Sequence, residues 1–65
     1  MDNFSLADKQ ALEALVEAGA KVSTVAYYTD TVVGDPEADA LAAGWTQYYK
    51  EHAKGSTLIE VIYTK

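Results

Sequence analysis

The chain has 65 residues, of which 49% are apolar and 23% charged, and its formal net charge at pH 7 is -5. This length allows one domain with a thin stability margin, because a chain of this size buries only about 60% of the surface that its unfolded form exposes. The composition is too apolar for a disordered chain, no run of 18 apolar residues could span a membrane, and the lack of cysteine excludes a disulfide scaffold and a thiolate metal site.

The N-terminal part of the chain predicts a helix over residues 5–18. Ser5 can act as its N-cap, with Asp8 three residues later in a position that resembles a capping box. Apolar side chains recur at helical spacing, at Leu12, Leu15 and Val16. Gly19 suits the C′ position that ends the helix. The preceding residues, Met1–Phe4, are acidic and have neither the basic nor the apolar segment of a secretory signal. We therefore expect a cytoplasmic protein.

The middle of the chain predicts a strand followed by a long helix. Residues 21–29 are rich in β-branched and aromatic side chains, which favour a strand. Asp35 suits a helix N-cap, Pro36 suits the first helical position, and Glu37 complements the positive end of the helix dipole. These helix-start signals predict a helix over 36–54, which ends at a glycine at position 55.

Residues 57–64 predict a second strand, so the expected order is helix, strand, helix, strand. This order predicts a small α/β (α+β) single domain, residues 1–65, that contains a βαβ unit. Two strands joined in this way pair in parallel, with a right-handed crossover. A two-stranded sheet is marginal in water and leaves both edges unpaired. We therefore expect a second copy or a partner protein to complete the sheet.

The distribution of charge limits the partners of the chain. Residues 1–47 hold eight of the ten carboxylates and two of the five lysines, and the chain has no arginine. Such a chain is a poor nucleic-acid binder, because phosphate contacts need cations and base reading relies on arginine. The acidity either keeps a small protein in solution or docks it on a basic surface, such as the groove of a nucleic-acid enzyme.

The sequence shows no set of residues with a defined chemical role. His52 is the sole histidine, no serine lies in a nucleophile elbow, and no glycine-rich phosphate loop occurs. Asp35, Glu37 and Asp39 are close in sequence, but side chains two apart on a helix do not face one another. Complementing the helix dipole is the simpler role for these three carboxylates. The sequence therefore predicts a protein that is not an enzyme and binds neither a metal nor a cofactor.

Tyrosine and tryptophan, which combine an apolar face with a hydrogen-bonding group, are typical of binding surfaces. Tyr27 and Tyr28 must point to opposite faces of their strand. Tyr48 and Tyr49 would lie about 100° apart on the predicted helix. One member of each pair is therefore expected near the surface, and Tyr28 and Tyr49 are the candidates for partner binding. The same tyrosines could instead line a pocket for a small ligand.

Part of the chain resembles small bacteriophage early proteins. The resemblance lies in the segments Val25–Tyr28, Asp35–Ala42 and Glu60–Ile62, with Trp45 and Gln47-Tyr48 between them, and it covers about residues 22–64. It consists of a strand, an alanine-rich helix with an acidic cap, and a closing strand. Some of these phage proteins, including an inhibitor of host RNA polymerase, block a host enzyme, and others counteract CRISPR or restriction systems. The N-terminal helix has no counterpart in that polymerase inhibitor.

These observations predict a non-enzymatic protein-binding module that acts in the cytoplasm, without direct contact to nucleic acid or membrane. Its most concrete form is an inhibitor, implied by the phage resemblance, that occupies a basic surface of a host RNA polymerase, CRISPR or restriction component. The residues expected to bind the partner are Tyr28, Tyr49, Asp35, Glu37 and Asp39. Two alternatives remain open at this point. One is a small accessory or assembly subunit of a larger complex, and the other is a small-ligand-binding module that uses its tyrosines.

Overall fold

A computed structural model of the protein describes residues 5–65, so the expectation drawn from Met1–Phe4 lies outside the described residues. The elements are α1 (Leu6–Glu17), β1 (Val22–Tyr28), α2 (Pro36–Ala42), β2 (Thr46–His52) and β3 (Leu58–Thr64). The three strands form one sheet. The protein is a small mixed α+β domain, which confirms the predicted fold class. Neither helix of the described segment has the length and hydropathy needed to cross a bilayer.

The ends of α1 are fixed by local hydrogen bonds. The backbone N–H of Asp8 donates to Ser5 Oγ at 3.1 Å, and the Ser5 hydroxyl donates to the Asp8 carboxylate at 2.9 Å. This is the capping arrangement that the sequence predicts. Gly19 follows the helix with a φ of 99°, and its N–H bonds to the Val16 carbonyl at 3.0 Å. A left-handed residue at this position satisfies carbonyls that the last turn would leave unpaired.

The predicted helix over 36–54 is wrong beyond Ala42. Asp35 caps α2, as the sequence predicts, but Gly44 takes a φ of 90° and turns the chain out of the helix. The N–H groups of Gly44 and Trp45 close the turn on the carbonyls of Leu41 and Ala40, both at 3.0 Å. The residues that follow are rich in threonine and tyrosine, which fit a pleated strand. They form β2, paired with β3.

The predicted parallel βαβ unit is also wrong. The strand order is β1-β3-β2, and β3 is antiparallel to both neighbours. The extra strand β2 causes the difference, because it returns the chain along the sheet before β3 begins. β2 and β3 form a hairpin through residues 53–57, and a register shift between Gln47 and Tyr49 makes Tyr48 the extra residue of a bulge. Within residues 5–65, β1 and β2 are the two edge strands.

Among residues 5–65, the buried apolar side chains all lie on β3. They are Ile59, Val61, Ile62 and Tyr63, and each is no more than 5% exposed. Three of them, Ile59, Val61 and Tyr63, face α2, where Val25, Tyr27, Ala40 and Trp45 pack against them. We call this side the α2 face. The opposite side, which carries Ile62, is the α1 face. No residue of α1 is buried, so the two faces are covered very unequally.

The C-terminal turn of α2 is held against the end of the sheet by Lys65. Its Nζ donates to the carbonyl oxygen of Ala43 at 2.7 Å and lies 5.2 Å from the centre of the Trp45 ring. A cation at this position complements the negative end of the helix dipole, and its approach to the indole face is favourable. The backbones of Lys65 and Lys21 exchange two hydrogen bonds of 3.0 Å, which extend the pairing of β3 with β1.

Substitution of Gly44 by alanine tests whether the helix ends at this turn. Because Gly44 has a positive φ, we expect Gly44→Ala to lower the free energy of unfolding by about 1–2 kcal/mol. Gly44→Asn should cost less, since asparagine tolerates the left-handed conformation better. Denaturation in urea measures both variants. If the helix instead continued through this position, alanine would raise stability by about 1 kcal/mol, so the sign of the change decides between the two structures.

Candidate interaction surfaces

A small polar cluster joins α2 to the sheet. The carboxylate of Glu37, in the first turn of α2, accepts a hydrogen bond from the Tyr27 hydroxyl at 2.9 Å. The same oxygen lies 2.6 Å from the ammonium group of Lys50 on β2. The hydrogen bonds from Lys50 and Tyr27 lower the pKa of Glu37, and the carboxylate raises the pKa of Lys50. The cluster therefore ties α2 to both edge strands.

The hydroxyl of Tyr63 lies beneath this cluster. It is buried and has no hydrogen-bond partner among the described residues. Burial raises the pKa of Tyr63, and the nearby Glu37 carboxylate adds to the effect. The hydroxyl belongs to a side chain that is 1% exposed and packed in the core. This placement makes Tyr63 a core residue rather than a reactive group.

The three predicted carboxylates of α2 do not form one site. The side chain of Asp35 accepts from the Ala38 N–H at 3.1 Å and caps the helix. Glu37 is half-buried and faces the sheet, whereas Asp39 is exposed. The acidic N-terminal turn therefore combines a cap, an internal ion pair and one carboxylate that is directed to solvent.

The predicted tyrosines lie on the same face but at different places on the sheet. Tyr28 is 52% exposed at the end of β1, whereas its neighbour Tyr27 packs inward, as strand alternation requires. Tyr49 is half-buried on β2, and burial followed by the Glu51 charge raises its pKa. In the register of the sheet, Tyr28 pairs with Leu58 and Tyr49 with Ile62. Tyr48 and Tyr49 lie on a bulged strand rather than a helix, so their predicted separation of about 100° around a helix axis is wrong.

His52 contributes to a turn. Its Nε2 lies 2.8 Å from the carbonyl oxygen of Ser56 and donates to it across the β2–β3 hairpin. The hairpin is closed further by the Ala53 N–H, which donates to the Leu58 carbonyl at 3.0 Å. Within residues 5–65, no group of three or more histidine or carboxylate side chains is placed to hold a metal ion.

A cleft of about 810 Å³ separates α1 from the α1 face of the sheet. Its apolar lining consists of Leu12, Val16, Val22 and Ile62, together with the methyl-bearing side chain of Thr24. Its charged rim consists of Glu13, Glu17, Glu60 and Lys9. We call this feature the α1 cleft. Sequence reasoning missed it because it depends on how α1 crosses the sheet, although the apolar stripe of α1 was visible in the sequence.

Large apolar side chains are exposed over much of the described surface. They are Leu6, Leu15, Val16, Val22, Tyr28, Val33 and Leu41, with exposures that range from 36% to 95%. Val16 and Val22 line the α1 cleft, and Leu41 belongs to α2.

Comparison of the chain with protein families, with curated proteins and with solved structures gave no match.

Acid titration tests the polar cluster. A carboxylate whose pKa is lowered by folding stabilises the protein at neutral pH, and that stability is lost as the pH falls below its ordinary value of 4.5 through the folded pKa. We therefore expect Glu37→Gln to be less stable than the native chain at pH 7, and the difference to shrink as the pH falls below 4.5. Thermal unfolding between pH 7 and pH 3 measures both proteins.

The matched control for this titration is Asp39→Asn, which removes one carboxylate from the same helical turn at an exposed position. The thermal stability of this variant should change with pH in the same way as that of the native chain. An Asp39→Asn effect equal to that of Glu37→Gln would show that helix-dipole charge, rather than the contact with Tyr27 and Lys50, accounts for the acid dependence.

Proposed function

We propose that the protein is a non-enzymatic protein-binding module that docks on a basic surface of another protein. The observation that carries this proposal is the imbalance between exposed and buried apolar side chains. Of the described residues, seven large apolar side chains are exposed and only four are buried. Contiguous exposed apolar surface is typical of sites that become covered in a complex, and Val16 and Val22 lie together at the α1 cleft. Burial of that surface against a partner would add to a core that is small for independent stability.

The charge of the chain supports a basic partner. The net charge is -5, and the rim of the α1 cleft presents the carboxylates of Glu13, Glu17 and Glu60. Complementary charge accelerates association with a cationic surface and suppresses wrong partners. The most concrete surface of this kind is the groove of a nucleic-acid enzyme, such as an RNA polymerase, CRISPR or restriction component, because its cations are arranged to bind phosphates.

The placement of the polar side chains supports a binding role over catalysis. Tyr27, Glu37 and Lys50 are engaged with one another, and His52 is bound to its own hairpin. An active site needs groups that converge on a substrate. In the described residues, these groups instead form internal contacts that hold α2 and the hairpin in place.

The proposal is tested by affinity capture from a bacterial lysate, followed by measurement with the purified captured protein. We expect the dissociation constant to rise at least tenfold between 50 and 300 mM NaCl, because charge-directed contacts are screened by salt. Affinity for the captured protein that does not change with salt would contradict docking on a basic surface. Capture of an intact structural assembly, with no effect on any enzyme activity in it, would favour the role of an accessory subunit.

Adjacent tyrosines on β1 provide a matched pair of variants for the same measurement. Tyr28→Ala removes a side chain that is 52% exposed, so we expect it to weaken partner binding at least tenfold with little change in unfolding. Tyr27→Ala removes a side chain packed against the core, so it should lower the free energy of unfolding by about 2 kcal/mol or more. The reverse result, with Tyr28→Ala destabilising and binding intact, would place Tyr28 outside the interface.

A further inference from the structure

The path of α1 leaves half of one sheet face uncovered. One contact links the N-terminal part of α1 to β2: the Tyr48 hydroxyl donates to the Asp8 carbonyl at 3.5 Å. The C-terminal part leads through residues 18–21 into β1 at Val22. Tyr48 and Val22 lie at the same end of the sheet, since Thr46 and Val22 both pair with Thr64. The helix therefore crosses the sheet at that end only.

The uncovered half of the α1 face is wide enough for a second helix. A strand of seven residues is about 23 Å long, and a helix with its side chains is about 10 Å wide. Beyond α1, the strand β1 exposes Thr24, Ala26 and Tyr28 on this face. The α1 cleft opens onto this half through Thr24. Because the cleft continues into an exposed sheet surface, it suits a long segment of a partner protein. A small molecule instead needs a pocket that encloses it.

The charges around the α1 cleft favour the binding of a positively charged segment. Glu13 and Glu17 are one turn apart on the cleft side of α1, and Glu60 lies on the sheet beneath them. Among the described residues that line the cleft, Lys9 is the one cation. A helix with lysine or arginine at intervals of four residues would place its charges about 6 Å apart, the spacing of Glu13 and Glu17.

We propose that the α1 cleft and the uncovered half of the α1 face bind a basic amphipathic helix of the partner protein. The apolar stripe of that helix packs on Val16, Thr24 and Ile62, and its cations meet the Glu13, Glu17 and Glu60 carboxylates. A second copy of this chain fits poorly, because two molecules with a net charge of -5 would bring like charges together. This inference rests on the proposed function and specifies the segment of the partner that is recognised.

The direct test uses a fluorescein-labelled peptide of 14 residues made of leucine, lysine and alanine, with the leucines at helical spacing and a hydrocarbon staple that preforms the helix. Fluorescence anisotropy at 50 mM NaCl should show saturable binding to the native chain, and a peptide with glutamate in place of every lysine should not bind. Equal binding of the two peptides, or no binding of the basic peptide at 100 µM protein, would overturn the inference.

Matched variants locate the binding site. Glu13→Gln combined with Val16→Ser alters the rim and lining of the cleft at two exposed positions of α1, and should weaken peptide binding at least tenfold. Asp39→Asn combined with Leu41→Ser makes equivalent changes at exposed positions of α2, on the other side of the sheet, and should change binding less than twofold. Circular dichroism checks that both variants fold. Equal weakening by the two double variants would overturn the cleft as the site.

Two further readouts separate this inference from the proposed function. If the partner captured from lysate binds the Glu13→Gln/Val16→Ser variant as tightly as the native chain, the cleft assignment fails while the protein-binding function stands. Sedimentation of the native chain should show a monomer at 50 µM. A dimer that Val16→Ser dissociates and that the basic peptide does not compete with would show that a second copy covers the cleft, and would overturn the inference.

Discussion

The fold depends on β3, because this strand supplies both the backbone pairing and the apolar core. β3 is hydrogen-bonded on both sides, and the four apolar side chains that are buried in the described part of the chain all belong to it. Such a strand can be apolar on both faces, since neither edge nor face is left fully to solvent. β1, β2 and α2 are each placed by contact with β3 or with its immediate neighbours. α1 has no buried residue, which makes it the least constrained of the elements described here.

The short helix α2 is held at both ends by polar contacts rather than by a large apolar face. Glu37 at its start contacts Tyr27 and Lys50, and Lys65 meets the Ala43 carbonyl at its end. A helix of seven residues has little stability by itself, so these contacts and the packing of Ala40 and Trp45 on the core are what keep it folded. This explains why charged residues near α2 that resemble a binding site in the sequence serve largely to dock the helix.

Local signals predicted the starts of both helices, and the long-range pairing was not predictable from them. Ser5 and Asp35 are recognisable caps, because side-chain capping needs only residues a few positions apart. The end of α2 was misread because Trp45, Tyr48 and His52 also fit a helical stripe, although Gly44 carried the correct stop signal. Strand alternation predicted that one of Tyr27 and Tyr28 lies near the surface, and in the structure it is Tyr28. The α1 cleft could not be predicted from the sequence, because it lies between α1 and β3, whose residues are far apart along the chain.

The unequal covering of the sheet links the structure to the proposed binding role. A sheet of three strands has two faces, and a chain of 65 residues has little apolar material to cover both. On the α2 face, α2 packs on the core and is tied to the sheet by the Glu37 cluster. On the α1 face, Ile62 is buried, yet Thr24, Ala26 and Tyr28 beside it are exposed. A partner helix on this side would extend an existing apolar contact rather than create a new one.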